Sequence, residues 1–452
     1  MQNKWRFVTV LVVAALAAQN AAAEMRVRTT RIGHGIEAWY VQNDAVPVVD
    51  LQITFEGAGI VSDPESKAGR ATFAAAMLTE GAGTYDSKAF ARLLDEHAIN
   101  LDIRSDEDRL IVHVHCLREH AGMVGELLAL ALTQPTLAEA DVARVKSQML
   151  NALNHLEESP QYQAQKLFSQ RAFKGHPYAN LPYGTAASVA SLGPQDVRDY
   201  LNTYVTRGNI VIASAGDVDA SLINAMVGPT VDALRNGEPA AVTPTVMQGG
   251  GEVLKQVSIL PQTVINFAAP SVARDDKRFY AVYLLNHILG GDTLTSRLGN
   301  QVRREKGLVY GIDTNLELQR GTSLLSGTLA TRNSTADAAL KEVQNVLAEV
   351  HDKGVTTDEC NDAKSYVIGH FPLQLDSSQS VSGMLISMQV HKLGESYLND
   401  RVAIFNKVSC GDINAAAKQL LDPHAFLFAV VGGTVDGANT PPNATSVAHD
   451  AR

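Results

Sequence analysis

The chain has 452 residues, 45% hydrophobic and 19% charged, with 38 Lys+Arg against 48 Asp+Glu and a formal net charge of −10. That length accommodates about two to three domains, and the balance excludes intrinsic disorder, collagen-like repeats and a disulfide-dense scaffold. An acidic chain without a long basic run is a poor match for nucleic acid or an anionic membrane.

Residues 1–23 read as an export signal. Lys4 and Arg6 precede an apolar run from Phe7 to Ala18, and Ala21-Ala22-Ala23 offers small residues before Glu24. As a helix the run would span about 18 Å, well short of the roughly 30 Å of a bilayer core. The expectation is an exported protein, most simply periplasmic, with an uncleaved N-terminal anchor as the alternative.

In chain order, strands are expected at 27–30 and 36–41, flanking a Gly33-His34-Gly35 turn, and at 48–55. Helices follow at 71–80 and 87–97, strands at 101–105 and 110–116, and a helix at 120–133. Helical segments continue to about 205, and an apolar strand at 210–215 closes this part. The Pro/Gly-rich stretch 236–251 reads as a linker. Beyond it come a strand at 264–268, helices at 277–289 and 297–306, strands at 310–316 and 324–329, a helix at 335–353 and a closing strand at 426–431.

The two parts repeat one plan. Asp196-Val197 and Gly216 recur as Asp412-Ile413 and Gly432, and Lys146-Ser147 recurs as Lys364-Ser365. The expected fold is α+β: two homologous halves, 24–235 and 252–435, each a mostly antiparallel sheet with helices on one face. Two such halves facing each other would enclose a cavity, and 436–452 would form a flexible tail. Cys116 ends the alternating run from Ile111 and should pack as a small apolar residue. The pairing of Cys360 with Cys410 stays open, and an odd count leaves at least one thiol free.

Several motifs together resemble the M16 (pitrilysin/insulinase-like) zinc peptidases over nearly the whole chain after residue 23. They are Leu285-Asn286-His287-Ile288-Leu289-Gly290-Gly291, Ser296-Arg297-Leu298 and the stretch from Val302 through Arg303 and Gly307 to Tyr310. Glu80-Gly81-Ala82-Gly83-Thr84 and Gly175-His176-Pro177-Tyr178 are similar to further family elements. Active members carry H-x-x-E-H, two zinc-binding histidines and a general base on one helix. No such motif occurs in this chain. The resemblance places Thr72 and Ala76 over the histidines, Ala75 over the glutamate and Val145 over the third ligand. None of these side chains holds zinc or removes a proton.

His113 and His115 share one face of a strand and are candidate metal ligands without an obvious third; the alternative is a half-exposed polar strand. His176, in its Pro-containing turn, reads as structural. Asp95-Glu96-His97 reads as a solvated helix end. Arg303 and Tyr310 flank Gly307, taken as a helix C-cap. By residue type alone they are a cation near a helix end and a strand aromatic. The resemblance instead gives them the family's role of binding substrate carbonyl and oxyanion opposite the zinc.

The reading that follows is a non-zinc-binding subunit of a heteromeric peptidase acting on peptides or unfolded proteins. This chain would hold no cofactor, supply Arg303 and Tyr310, and need a homologous partner carrying H-x-x-E-H and Zn²⁺. It would not be active alone. The alternative is a non-catalytic structural or peptide-holding scaffold of the same descent.

Overall fold

The computed structural model describes residues 25–238, 241–258, 262–292 and 294–433. The expected export signal and the tail at 436–452 lie outside these residues. Among the described residues no helix is long and apolar enough to cross a membrane.

The first half is built on β1 (Arg28–Arg31), β2 (Glu37–Gln42), β3 (Val48–Glu56), β4 (Asn100–Ser105), β5 (Arg109–Leu117) and β6 (Ile210–Gly216). The second uses β7 (Val253–Val257), β8 (Gln262–Pro270), β9 (Gly311–Leu318), β10 (Ser323–Arg332) and β11 (Leu427–Gly432). Strand order is β1-β2-β6-β3-β5-β4 in one sheet and β7-β11-β8-β10-β9 in the other. Apart from the extra edge strand β1, the orders correspond strand for strand. The parallel pairs correspond too: β2 with β6, and β7 with β11, in otherwise antiparallel sheets. The duplicated α+β architecture is therefore present.

The repeated residues sit at equivalent places. Asp196 and Asp412 each accept the backbone N–H three residues earlier, at 2.9 and 2.8 Å, and so cap the helix packed before the closing strand. The next residues, Val197 and Ile413, are fully buried. Gly216 and Gly432 end β6 and β11. Gly216 has φ +109°, and a Cβ there would stand 2.2 Å from the Val48 carbonyl, so no larger residue fits.

Two elements escape the sequence pattern. β7 is almost wholly exposed and is held by pairing with β11 rather than by an apolar face. The helix Ala220–Ala233 contains Pro229 and follows β6 at the end of the first half. It packs closely on the helix Ala121–Thr133, where a Cβ on Gly125 would come within 2.1 Å of the Ala225 carbonyl.

One feature departs from helices on a single face. Within each half the helices do pack on one face, for example Phe73, Phe90, Leu127 and Val197 in the first and Phe279, Val343 and Phe405 in the second. The opposite face of each sheet is covered by a helix from the other half. Helix Ser378–Val390 seats Val381, Leu385, Ile386 and Met388 on Trp39, Val41, Ala213 and Ala215. Helix Pro160–Ala172 seats Phe168 and Ala172 against Ala268, Leu324, Leu427 and Ala429. The cause is in the central strands. The six residues of β11 and the last five of β6 are buried on both faces, so each sheet needs two covers. Burying each large apolar side chain is worth about 1.5–3 kcal/mol, which binds the halves into one body.

Candidate functional site

The helix Arg70–Met77 is entered through Gly69 at φ +88°. Its first turn is held by the buried Asp63, which accepts the Ala71 N–H at 3.1 Å and pairs with Arg70 Nε at 3.4 Å. Burial pushes the Asp63 carboxyl up to about 6, against the lowering effect of those bonds.

Thr72 is spent on structure. Its hydroxyl donates to the Pro182 carbonyl at 2.6 Å and lies 3.2 Å from Ser105 Oγ, tying helix, turn and the end of β4. Ala75 and Val145 are buried in one hydrophobic cluster, and Ala76 packs against it. Nearby, Glu80 pairs with Arg144, closing the end of this helix onto Glu139–Glu157. The chemistry of these four positions does not fit zinc: one engaged hydroxyl and three hydrocarbon side chains offer no ligand set. Among the described residues no three His, Cys, Asp or Glu side chains are gathered to hold a metal.

His113 and His115 do share a face, and both meet Asp50. His113 Nε2 lies 2.8 Å and His115 Nδ1 3.5 Å from Asp50 Oδ2. The other oxygen of this fully buried carboxylate accepts Ser382 Oγ at 2.5 Å from the helix of the second half. The group ties the halves together rather than forming a metal centre.

Arg303 and Tyr310 lie in the second half, on the segment between the helix layer and β9. The expected helix at 297–306 is wound with π geometry over Gly299–Glu305, and a second π turn covers His287–Gly291. Such turns widen the helix locally and recur at functional sites. Gly307, at φ +60°, stops the turn, and its N–H donates to the Arg303 carbonyl at 3.1 Å. The segment is anchored on both sides: Arg297 to Glu359 at 2.5 Å, Lys306 to Glu342 at 2.5 Å. Arg303 is half-buried, and its side chain makes no ion pair or hydrogen bond among the described residues. Tyr310 is 60% exposed. Its backbone N–H is fixed on the Ala330 carbonyl at 3.0 Å, while its hydroxyl has no partner among the described residues. Arg304 is exposed.

Sequence reasoning missed the clasp between the halves. Tyr178 Oη donates to Asp108 Oδ1 at 2.6 Å and accepts the Gly321 N–H at 3.0 Å, while Asp108 Oδ2 accepts the Arg320 N–H at 2.8 Å. Burial raises the Tyr178 phenol far above its usual value, and the neighbouring Asp108 adds to it. His176 reinforces the same corner through the Thr243 carbonyl at 3.0 Å. The motif His176-Pro177-Tyr178 was visible; its partner Asp108, one acid among three in a hairpin turn, was not. Beside the clasp the halves enclose a cavity of about 680 Å³, with Glu107, Asp108, Asp313 and Glu317 in its wall.

A duplicated α+β chain whose first helical layer offers no metal-ligand set at Thr72, Ala75, Ala76 and Val145 is the class that fold and site define. The insulinase (peptidase family M16) pattern matches residues 40–186, and the peptidase M16 inactive domain pattern matches residues 191–367. The chain belongs to peptidase family M16. Among its relatives is a non-peptidase homolog, YmxG, of Helicobacter pylori, 25% identical over 397 residues, spanning 87% of this chain and 90% of that one. An uncharacterized zinc protease, YmxG, of Bacillus subtilis is 22% identical over 348 residues, 76% and 83% of the two chains. The crystal structure of a peptidase M16 inactive domain from Pseudomonas fluorescens superposes with TM-score 0.84 at 27% identity, covering 91% of this chain and 98% of that one. A chain of complex III2 from Candida albicans shares the fold, with TM-score 0.73 at 16% identity, covering 90% and 96%.

Proposed function

We propose that this chain is the non-zinc-binding subunit of a heteromeric M16 peptidase, exported from the cytoplasm. The observation that carries the reading is an asymmetry between its halves. The metal positions hold one hydroxyl spent on structure and otherwise hydrocarbon, whereas Arg303 and Tyr310 keep unpaired polar ends on and just after a π turn. A guanidinium and a phenol are suited to a substrate carbonyl and its developing oxyanion. The zinc and the general base would come from a homologous chain with an intact H-x-x-E-H. The disulfide between Cys360 and Cys410 supports an oxidising compartment, in line with residues 1–23 acting as an export signal.

The test is affinity purification from the native host, with zinc and peptidase activity measured on the eluate. Recovery of an H-x-x-E-H chain with both supports the heteromer. Recovery of this chain alone and inert favours the second reading, a structural or peptide-holding scaffold. That alternative draws support from the description of the Helicobacter relative as a non-peptidase homolog.

A further inference from the structure

A second crevice of about 650 Å³ opens between the halves, sharing Asp108 and Arg109 with the first but differing in charge. Its wall carries Arg109, Arg274, Arg320 and Lys392 against Glu56, Asp108 and Asp275. The acids do not neutralise it evenly. Glu56 lies between Arg109 Nε at 3.8 Å and Arg320 Nε at 3.9 Å, and both oxygens of Asp108 are taken by the clasp. Asp275 is exposed and forms no ion pair among the described residues. Arg274 and Lys392 are likewise without an ion pair among those residues.

Arg274 is nevertheless well positioned. Its guanidinium lies over the Phe279 ring, 4.1 Å from the centroid, and its Nη2 donates to the Tyr280 and Tyr397 hydroxyls, both at 3.3 Å. Those acceptors are neutral and leave the other N–H groups of the guanidinium uncommitted. Lys392 sits at φ +53°, a left-handed conformation that a non-glycine residue adopts at a cost. Between them, His391 is held down at about 4 by burial, then by Arg274 and Arg109, so its ring is neutral at pH 7 and carries one N–H donor. Two cations and a neutral ring donor, none of them in an ion pair and facing one unpaired acid, Asp275, leave donors in the crevice for an anion.

We propose that this crevice is an oxyanion site, in which the Arg274 guanidinium, the Lys392 ammonium and the His391 ring hold one carboxylate or phosphate group. Planar guanidinium donors suit either. The site is distinct from Arg303 and Tyr310 and does not depend on a zinc-bearing partner.

The test is calorimetric titration of the full chain at pH 7.5 and constant ionic strength. Three probes are used: inorganic phosphate, trialanine as the free acid, and trialanine C-terminal amide. Saturable binding of phosphate or of the free acid, at one site per chain, is expected, and which of the two binds identifies the source. Arg274→Gln and Lys392→Gln should each weaken it tenfold or more. Saturation should also raise the His391 titration midpoint in the NMR spectrum, because the anion offsets the two guanidiniums. Lys392 is exposed, so its variant keeps the test valid if Arg274→Gln misfolds. No saturable binding of either oxyanion, equal binding of acid and amide, or wild-type affinity in Lys392→Gln would overturn the proposal.

Discussion

Replacing Cys360 and Cys410 together by alanine opens a loop closed across a sequence separation of 50 residues. In the chain-entropy picture that closure removes about 14 cal/mol/K from the unfolded ensemble, or about 4 kcal/mol at 25 °C. The opened loop contains helix Ser378–Val390, the cover of the first half's sheet, so the loss should reach both halves. Cys360 is buried, so truncating its side chain adds about 1 kcal/mol of lost packing. The assay is urea unfolding followed by circular dichroism, on wild type with and without a phosphine reductant and on the double variant. Reduced wild type and the double variant should unfold at similar, lower urea concentrations, and the reductant should not affect the variant. Overlapping curves for oxidised and reduced wild type would refute the assignment of stability to this link.

In a reconstituted heteromer, Tyr310→Phe and Arg303→Ala should each lower the peptidase rate by on the order of 10²–10³, with zinc content and assembly unchanged. Their combination should be less than additive if both serve one intermediate. Purified alone, the chain should retain far less than one zinc per molecule by elemental analysis after dialysis, since Thr72, Ala75, Ala76 and Val145 supply no ligands. Tyr178→Phe removes the hydroxyl shared by Asp108 and Gly321 and should cost about 1–3 kcal/mol in equilibrium unfolding. His391 has a folded value of about 4 against an ordinary 6.5, so the unfolded chain takes up its proton first as the pH falls. Its contribution is complete above 6.5 and is lost between 6.5 and about 4. His391→Gln should flatten the stability profile across that window.

Much of the fold was legible because its strands alternate or run apolar. β3 and β5 begin and end within one residue of their expected limits, and Gly216 and Gly432 mark the repeat correctly. β7 was illegible because an exposed edge strand has no apolar face to read. The exchange of helices was hidden for another reason. The spacing of Leu385 and Met388 shows that a helix has an apolar side but not which sheet it meets. The disulfide depended on two helix starts coming within 5.7 Å, a tertiary fact. At the candidate site, a helix was expected around Arg303, but π winding shifts the repeat by one residue per turn and leaves no periodic trace in so short a segment. His113 and His115 were read as sharing one face, but their common partner Asp50 lies on the neighbouring strand β3.

The crossed helices also bear on how such a chain persists. A half without a metal-ligand set would ordinarily be free to shrink or disappear. Here that half still supplies the roof over β8 and β11, through Phe168 and Ala172 on Pro160–Ala172. Deleting it would expose the apolar face of the half that keeps Arg303 and Tyr310. Expressed as separate polypeptides, the two halves should be soluble only when made together. The first half thus has an architectural part to play in the second, independent of any chemistry.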